Sequence, residues 1–411
     1  MEKQNNVPKL RFPEFLDGWE VKKLGDLLEF KNGINATKEQ YGKGYKFINV
    51  LDILNNDFIT HDKIIGSVDV SEDIFNKYPV NYGDILFQRS SETREEVGTA
   101  SVYLDKENTA TFGGFVIRGK KIGDYEPFFL SKLLQTDLSR NQITSKSGGS
   151  TRYNVGQEIL MSIEISFPTL PEQQKIATFL STVDEKLQAL KKKKSLLETY
   201  KKGLMQKLFS QEIRFKYDGG NDFKDWEMKK LGEVSDVRDG THDSPRYVEN
   251  GFPFITSKNL LKDGSIDFNN ITFITEIDYN KVNQRSKVNV NDILFGMIGT
   301  IGNPVLVKTD GFAIKNVALI KEQKELINVF LIHFLKGDSI NQQFFEQNTG
   351  GTQKFLSLSI IRNLEVEIPS LTEQTKIANF LTAIDEKINK VDAQIKQTEL
   401  WKKGLLQQMF V

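Results

Sequence analysis

The sequence predicts an α+β chain in which two pseudo-repeated mixed α/β domains are separated by an antiparallel coiled coil of two long helices. Three observations predict it. The chain is similar to itself over nearly its whole length, short apolar runs in each copy alternate with turn residues, and each copy ends in a long stretch with heptad spacing.

The repeat comes first because any motif has to be read within it. WEVKKLGDL at Trp19 returns as WEMKKLGEV at Trp226, and GYKFINVLDI at Gly44 aligns with GFPFITSKNL at Gly251, both pairs 207 positions apart. VNYGDILF at Val80 pairs with VNVNDILF at Val288, and SGGSTRYNV at Ser147 with TGGTQKFLS at Thr349. PEQQKIATFLSTVDEKL at Pro171 recurs as TEQTKIANFLTAIDEKI at Thr372. Agreement is tight at WExKKLG and EQxKIAxFL but weak across residues 54–79 and 122–146 and their counterparts. Either a fixed framework carries a diverged choosing surface, or exposed loops have drifted. The boundaries expected are a first domain at 1–168, a first helix at 169–210, a second domain at 211–368 and a second helix at 369–411.

The helices follow from periodicity. Ile176, Leu180, Val183, Leu187, Leu190 and Leu197 fall at the four-three spacing of a coiled-coil seam, interrupted at Lys194. Ile377, Leu381, Ile384, Ile388, Val391 and Ile395 repeat it. Pro171 with Glu172, and Pro369 with Glu373, suit helix starts. The tails YKKGLMQKLF and WKKGLLQQMF contain Gly203 and Gly404, where a kink or close packing is expected. Each apolar stripe is best covered by the other, and a dyad between equal repeats favours antiparallel packing.

Within the domains, YKFINV, DILF, FVIR, FPFIT and VALI read as strands, while PFFLSKLLQTDLSRNQI and NVFLIHFLKGDSINQQF read as helices. The polar loops carry the chemistry. KNGINATK offers Lys31 and Asn32; its counterpart RDGTHDSPRY offers Arg238, Asp239, Thr241, His242, Arg246 and Tyr247. Such side chains suit hydrogen bonds to base edges, though polar loops occur on any surface. QRSSETREE places Arg89 and Arg94 after the DILF strand, either as contacts or as a solvated turn balanced by Glu95 and Glu96; GMIGTIGNP stands in the other copy. GGSTRY and GGTQKF set Arg152 with Tyr153, and Gln353 and Lys354 with Phe355, behind paired glycines. This is a phosphate clamp or a tight turn before the closing strand.

Composition narrows the functions. The chain has no cysteine, which excludes thiolate catalysis, disulfides and Cys-based metal sites. His61, His242 and His333 are too far apart in sequence for a metal-ligand motif. Fifty-five basic residues offset 55 acidic ones, so cations for a polyanion have to be segregated locally or supplied by a partner. No signal peptide or membrane-spanning run is read, and a cytoplasmic protein is expected.

The order WExxxLG, variable strand-rich domain, DILF, GG(S/T) and EQxKIAxFLxxxDEK(L/I), twice over, resembles the specificity (S) subunits of type I restriction-modification enzymes. DGTHDSPRY with GFPFI also looks like the start of a recognition domain in that family. The resemblance implies two target-recognition domains that read the halves of a split double-stranded DNA site. It also implies two modification subunits, which carry S-adenosylmethionine and methylate adenine, and two restriction subunits that use ATP and Mg and cut. No cofactor is expected on this chain, which lacks both a G-x-x-x-x-G-K-[ST] loop and a D/N-P-P-[YF] tetrapeptide. Lys194 against Ile395 departs from perfect symmetry of the helix pair.

Two other classes compete. A nuclease would have to use the repeated DEK at Asp184 and Asp385, which reads instead as the exposed face of an amphipathic helix. A coiled-coil scaffold with protein-binding end domains fits the repeat equally well. On the specificity-subunit reading, a helix of about 38 residues is roughly 57 Å long and acts as a ruler for the unread spacer. Adding or removing one heptad in both helices is expected to change the permitted spacer and leave the half-site bases alone. An unchanged spacer in the methylation pattern would refute the ruler.

Overall fold

The computed structural model describes residues 6–149, 151–299, 301–347 and 355–411. The chain divides into two compact units, Met1–Lys191 with Ala393–Val411, and Lys192–Asp392.

The first unit contains β1 (Glu20–Lys23), β2 (Leu28–Asn32), β3 (Tyr41–Ile48), β4 (Ser67–Val68), β5 (Ile85–Gln88), β6 (Ser90–Ser91), β7 (Ala100–Val102), β8 (Thr111–Phe112) and β9 (Val116–Lys121). These are followed by α1 (Pro127–Leu134), α2 (Asp137–Lys146), β10 (Tyr153–Asn154), β11 (Glu164–Phe167) and the first half of the long helix α3 (Leu170–Phe209), whose residues from Lys192 belong to the second unit. The main sheet is antiparallel, in the order β2-β9-β5-β7, and a smaller sheet has the order β4-β3-β8. The DILF strand explains the layering. Ile85 and Phe87 join the core shared with the helices, while Leu86, pointing the other way, joins the core beneath the small sheet. A strand buried on both faces must be apolar throughout, which is why DILF reads as a run and not as an alternation.

The second unit repeats the plan with β12 (Glu227–Lys230), β13 (Asp236–Asp239), β14 (Tyr247–Val248), β15 (Phe252–Thr256), β16 (Thr272–Ile274), α4 (Glu276–Ser286), β17 (Ile293–Gly296), β18 (Gly302–Leu306), β19 (Ala313–Lys315) and β20 (Val317–Lys321). It continues with α5 (Asn328–Leu335), α6 (Asp338–Gln347), β21 (Glu365–Ile368) and the first half of the second long helix α7 (Leu371–Gln408), whose residues from Ala393 belong to the first unit. Its sheets have the orders β13-β20-β17-β18 and β14-β16-β15-β19. Again Ile293 and Phe295 face one core and Leu294 the other. Each of the two stretches read as helical in sequence contains two helices. Thr136 ends the first half and caps α2 through its hydroxyl, and Gly337 separates α5 from α6.

Each domain is tied to the helix that follows it by a buried Glu-Gln pair. Glu172 accepts from Arg11 at 2.8 and 2.7 Å and from the Trp19 indole at 3.3 Å; Glu373 accepts from Arg214 at 3.2 and 2.9 Å and from Trp226 at 3.0 Å. Gln173 and Gln374 accept from the backbone N–H of Glu126 and Ile327, where α1 and α5 begin, and donate to the carbonyls of Pro168 and Pro369. The outer strands close the same end, β1 on β11 and β12 on β21.

In both units the helices run antiparallel. Asp184 pairs with Lys402 at 2.6 Å and Lys191 with Glu399 at 2.8 Å in the first unit; Lys194 pairs with Asp392 at 2.5 Å and Lys201 with Asp385 at 2.6 Å in the second. In the second unit the two rungs are one heptad apart on both helices, whereas in the first they are seven residues apart on α3 and three on α7. Lys194, the apparent flaw in the stripe, is therefore a rung. Of the twelve seam positions, Leu190, Leu197 and Ile388 are half-buried and the other nine are buried. The tails lodge in the cores: Leu405, Met409 and Phe410 in the first unit, Met205 and Leu208 in the second. α3 and α7 continue as helix through Gly203 and Gly404, and a Cβ on Gly203 would meet nothing within 4 Å, so close packing does not require this glycine.

The DEK reading needs correcting, because Asp184 is only 2% exposed. It forms ion pairs with Lys132 at 3.0 Å as well as with Lys402. Burial pushes the Lys132 ammonium below its usual range, whereas Lys402, despite the same desolvation, is held up by its hydrogen bond to Asp184. At the equivalent place in the second unit, His333 lies 3.8 Å from Asp385, and burial, with Lys201 nearby, lowers its pKa to about 3.

A neutral buried His333 makes stability fall with acidification, since below the ordinary histidine pKa of about 6.5 only the unfolded chain takes the proton. The loss runs downward from there toward pH 3, with a limiting slope of about 1.4 kcal/mol per pH unit. His333→Gln should flatten the pH dependence of urea unfolding between pH 6.5 and 5 relative to the parent. Identical slopes would show that this histidine does not contribute.

Candidate nucleic-acid interface

The loops singled out in sequence gather at the far end of the main sheet, away from the β1 and β11 closure. In the first unit β2 ends at Asn32, and Gly33 turns the chain by donating to the Val116 carbonyl while Ile34 donates to that of Phe112. In the second unit Gly240 donates to Val317 and Thr241 to Ile314 in the same way. Glycine is required at both turns. A Cβ on Gly33 would stand 2.2 Å from the Gly113 carbonyl oxygen, and one on Gly240 2.4 Å from that of Ile314.

Lys31 and Arg238 occupy one structural role. Lys31 donates to the Lys77 carbonyl at 2.8 Å with its ammonium over the Tyr78 ring, and Arg238 donates to the Arg285 carbonyl at 2.9 Å while pairing with Asp236 at 2.6 Å. Each anchors the end of a helix that lies against the sheet. Asn32 and Asp239 come next and differ between the units: Asp239, 7% exposed, pairs with Arg285 and accepts from His242 at 2.9 Å. The other ring nitrogen of His242 lies 2.8 Å from the Asn316 side-chain oxygen. Thr241 accepts from the Asp243 N–H, the Arg246 backbone donates to Asp278, and Tyr247 is half exposed on β14. Thr241, His242, Asp278, Lys281 and Arg285 border a cleft of about 330 Å³.

The first unit brings Arg89, Arg152 and Tyr153 together. β6 pairs with β10, so Ser91 lies opposite Tyr153, and Val155 donates to the Arg89 carbonyl. Of the two readings of GGSTRY, the geometry contains a tight turn: Gly148 and Asn154 exchange backbone hydrogen bonds, and Gly149 has φ +122° with a would-be Cβ only 1.9 Å from the Arg152 carbonyl oxygen. Arg152 is exposed on that turn. Arg89 donates to the Gly114 carbonyl at 3.3 Å. Arg94 is not balanced by its neighbouring glutamates; it donates to the Thr144 and Ser145 carbonyls at the end of α2. Gln353 and Lys354 lie outside the described residues.

Two residues escaped the sequence reading. Phe115, 65% exposed, tips the Gly113–Phe115 turn of the first unit, where the second unit has Lys315 and Asn316. Arg285 sits in the last turn of α4. A turn holding an exposed aromatic after two glycines is a readable signal; an arginine in a polar helix is not.

Among the described residues no group of three or more His, Cys, Asp or Glu could hold a metal, and no helix is long and apolar enough to cross a membrane. The family model described as the type I restriction modification DNA specificity domain matches twice, at residues 16–199 and 223–398. The chain belongs to this family. As a specificity subunit it is similar to the putative type I restriction enzyme MjaX specificity subunit of Methanocaldococcus jannaschii, 27% identical over 98% of this chain and 95% of that one. It is also similar to the EcoKI specificity subunit of Escherichia coli, 22% identical over 92% and 86%. The fold matches the S subunit of a type I restriction-modification system from M. genitalium, with TM-score 0.61, 17% identity and coverage of 98% and 99%.

The glycine turns supply a local test. Gly240→Ala should force the β13 turn off the Ile314 carbonyl and weaken DNA protection in one half of the target only. Retention of full protection by this variant would show that the turn does not position the site.

Proposed function

We propose that this specificity subunit is the non-catalytic DNA reader of its system, with residues 1–168 and 211–368 each reading one half of a bipartite target. Residues 169–210 and 369–411 supply the paired helices. The observation that carries the reading is the contrast at the sheet ends: one backbone frame, repeated down to its glycine turns, presents Gly113, Gly114 and exposed Phe115 in one copy and Lys315 and Asn316 beside His242 in the other. Two unlike half-sites call for such a contrast. Candidate contacts are Asn32, Arg89, Arg152, Tyr153, Thr241, Arg246 and Tyr247, with Gln353 and Lys354 from the sequence alone. Lys31, Arg94 and Arg238 act chiefly by fixing helix ends, as their hydrogen bonds to carbonyls support.

The chemistry belongs to the partners: two modification subunits that bind S-adenosylmethionine and methylate adenine, and two restriction subunits that use ATP and Mg, all in the cytoplasm. A scaffold with protein-binding ends is the competing reading, and one experiment separates them. Exchanging residues 214–367 for the corresponding domain of another specificity subunit is expected to alter one half of the methylated target and leave the other intact. Changes in both halves would refute independent reading, and no sequence-specific methylation would favour the scaffold.

A further inference from the structure

Many charged side chains at the sheet ends are committed to the protein itself, and Arg285 is held by the protein while keeping most of its donors exposed. Arg285 is held at two points by β13. Its carbonyl accepts from Arg238 at 2.9 Å, and its guanidinium pairs with the buried Asp239 through one terminal nitrogen. Its side chain is nevertheless 67% exposed at the rim of the cleft. An arginine has five N–H donors in a rigid fork, so the single bond to Asp239 orients the group and leaves donors for another acceptor pair.

The surroundings are built as a support. Asp239 is 7% exposed, and its second oxygen takes His242, whose other ring nitrogen meets Asn316. Lying between the Asp239 carboxylate and the Asn316 amide, His242 acts as a strut between β13 and the β19–β20 turn. That turn is stiffened in its own right: Asn316 has φ +55°, donates from its backbone to the Thr241 carbonyl, and accepts from Ser257. Buried acceptors that hold an exposed donor on regular elements give the precision a base contact needs.

We infer that Arg285 is the guanine-reading residue of the second domain, with Asp239 and His242 as its positioning residues. This rests on the DNA-reading function proposed above. Guanine is the chemistry that fits, because its O6 and N7 in the major groove present two adjacent acceptors to an arginine fork. The first unit keeps the helix tie through Lys31 and Lys77 but has Asn32 where Asp239 stands, so its half-site is read by other groups.

The test uses the full chain co-expressed with its modification partner, assayed for methylation of duplexes in which each base pair of the target is substituted in turn. Arg285→Ala should relax discrimination about 10- to 100-fold at one G·C pair in one half-site and leave the other half unchanged. Arg285→Lys keeps the charge but loses the fork and should relax the same pair. Asp239→Asn and His242→Ala should give smaller relaxations at that same pair and leave the other half-site unchanged. A uniform loss of activity on every duplex, with a salt dependence shallower by about one charge, would make Arg285 a phosphate contact and overturn the inference. An unchanged base profile would reduce it to a surface ion pair. Absence of any sequence preference in the parent complex would instead overturn the DNA-reading function itself.

Discussion

The structure depends on a carboxylate that has no water to solvate it. Glu172 and Glu373 are 1% and 0% exposed, and a buried charge left without partners is costly enough to decide a fold. Each is satisfied by an arginine and a tryptophan that lie ahead of the domain in sequence, while the glutamate lies behind it. Satisfying the glutamate therefore draws together the two ends of a domain of some 150 residues. The β1 and β11 ladder and the neighbouring glutamine finish the closure, and the opposite sheet end is left to vary without disturbing it.

The framework was legible where repetition made it so. Strands such as DILF and VALI, the two long helices and the seam all carry their period in the chain. The clamp was not legible, because a glutamate beside a helix start satisfies the dipole whether it is wet or dry. The RF dipeptides at Arg11 and Arg214, followed in each copy by a WE, were the available signal, but two letters at a shifted offset do not stand out. The first DEK triplet misled at its aspartate for a related reason. Periodicity assigns a residue to a face, but whether a flanking aspartate is solvated depends on which lysine the opposing helix brings level with it.

The loops show the same limit at finer scale. In sequence Lys31, Arg94 and Arg238 stand out as candidate contacts and Arg285, inside a polar helix, does not. In space all three cap or anchor helix ends through carbonyls that no local pattern reveals, because the partners are some 46 to 51 residues away. Helix C-termini attract cations, so basic residues near a binding edge are drawn into structural duty unless something else holds the helix. Cation counting therefore overstates the reading surface, and burial of the acceptor is the better guide.

That argument bears on how such a site changes. Position 239 is a buried carboxylate that needs two donors, and it has them in Arg285 and His242, with His242 in turn fixed by Asn316. Asn32, at the equivalent position of the first unit, carries no charge to neutralise, and the turn facing it is built on glycines that leave Phe115 exposed. Moving from one arrangement to the other a residue at a time would pass through an unpaired buried charge or an unsatisfied histidine, and residues in one such network do not contribute additively. The domain edge is therefore constrained to change as a set, which favours exchange of whole domains over stepwise drift at single positions.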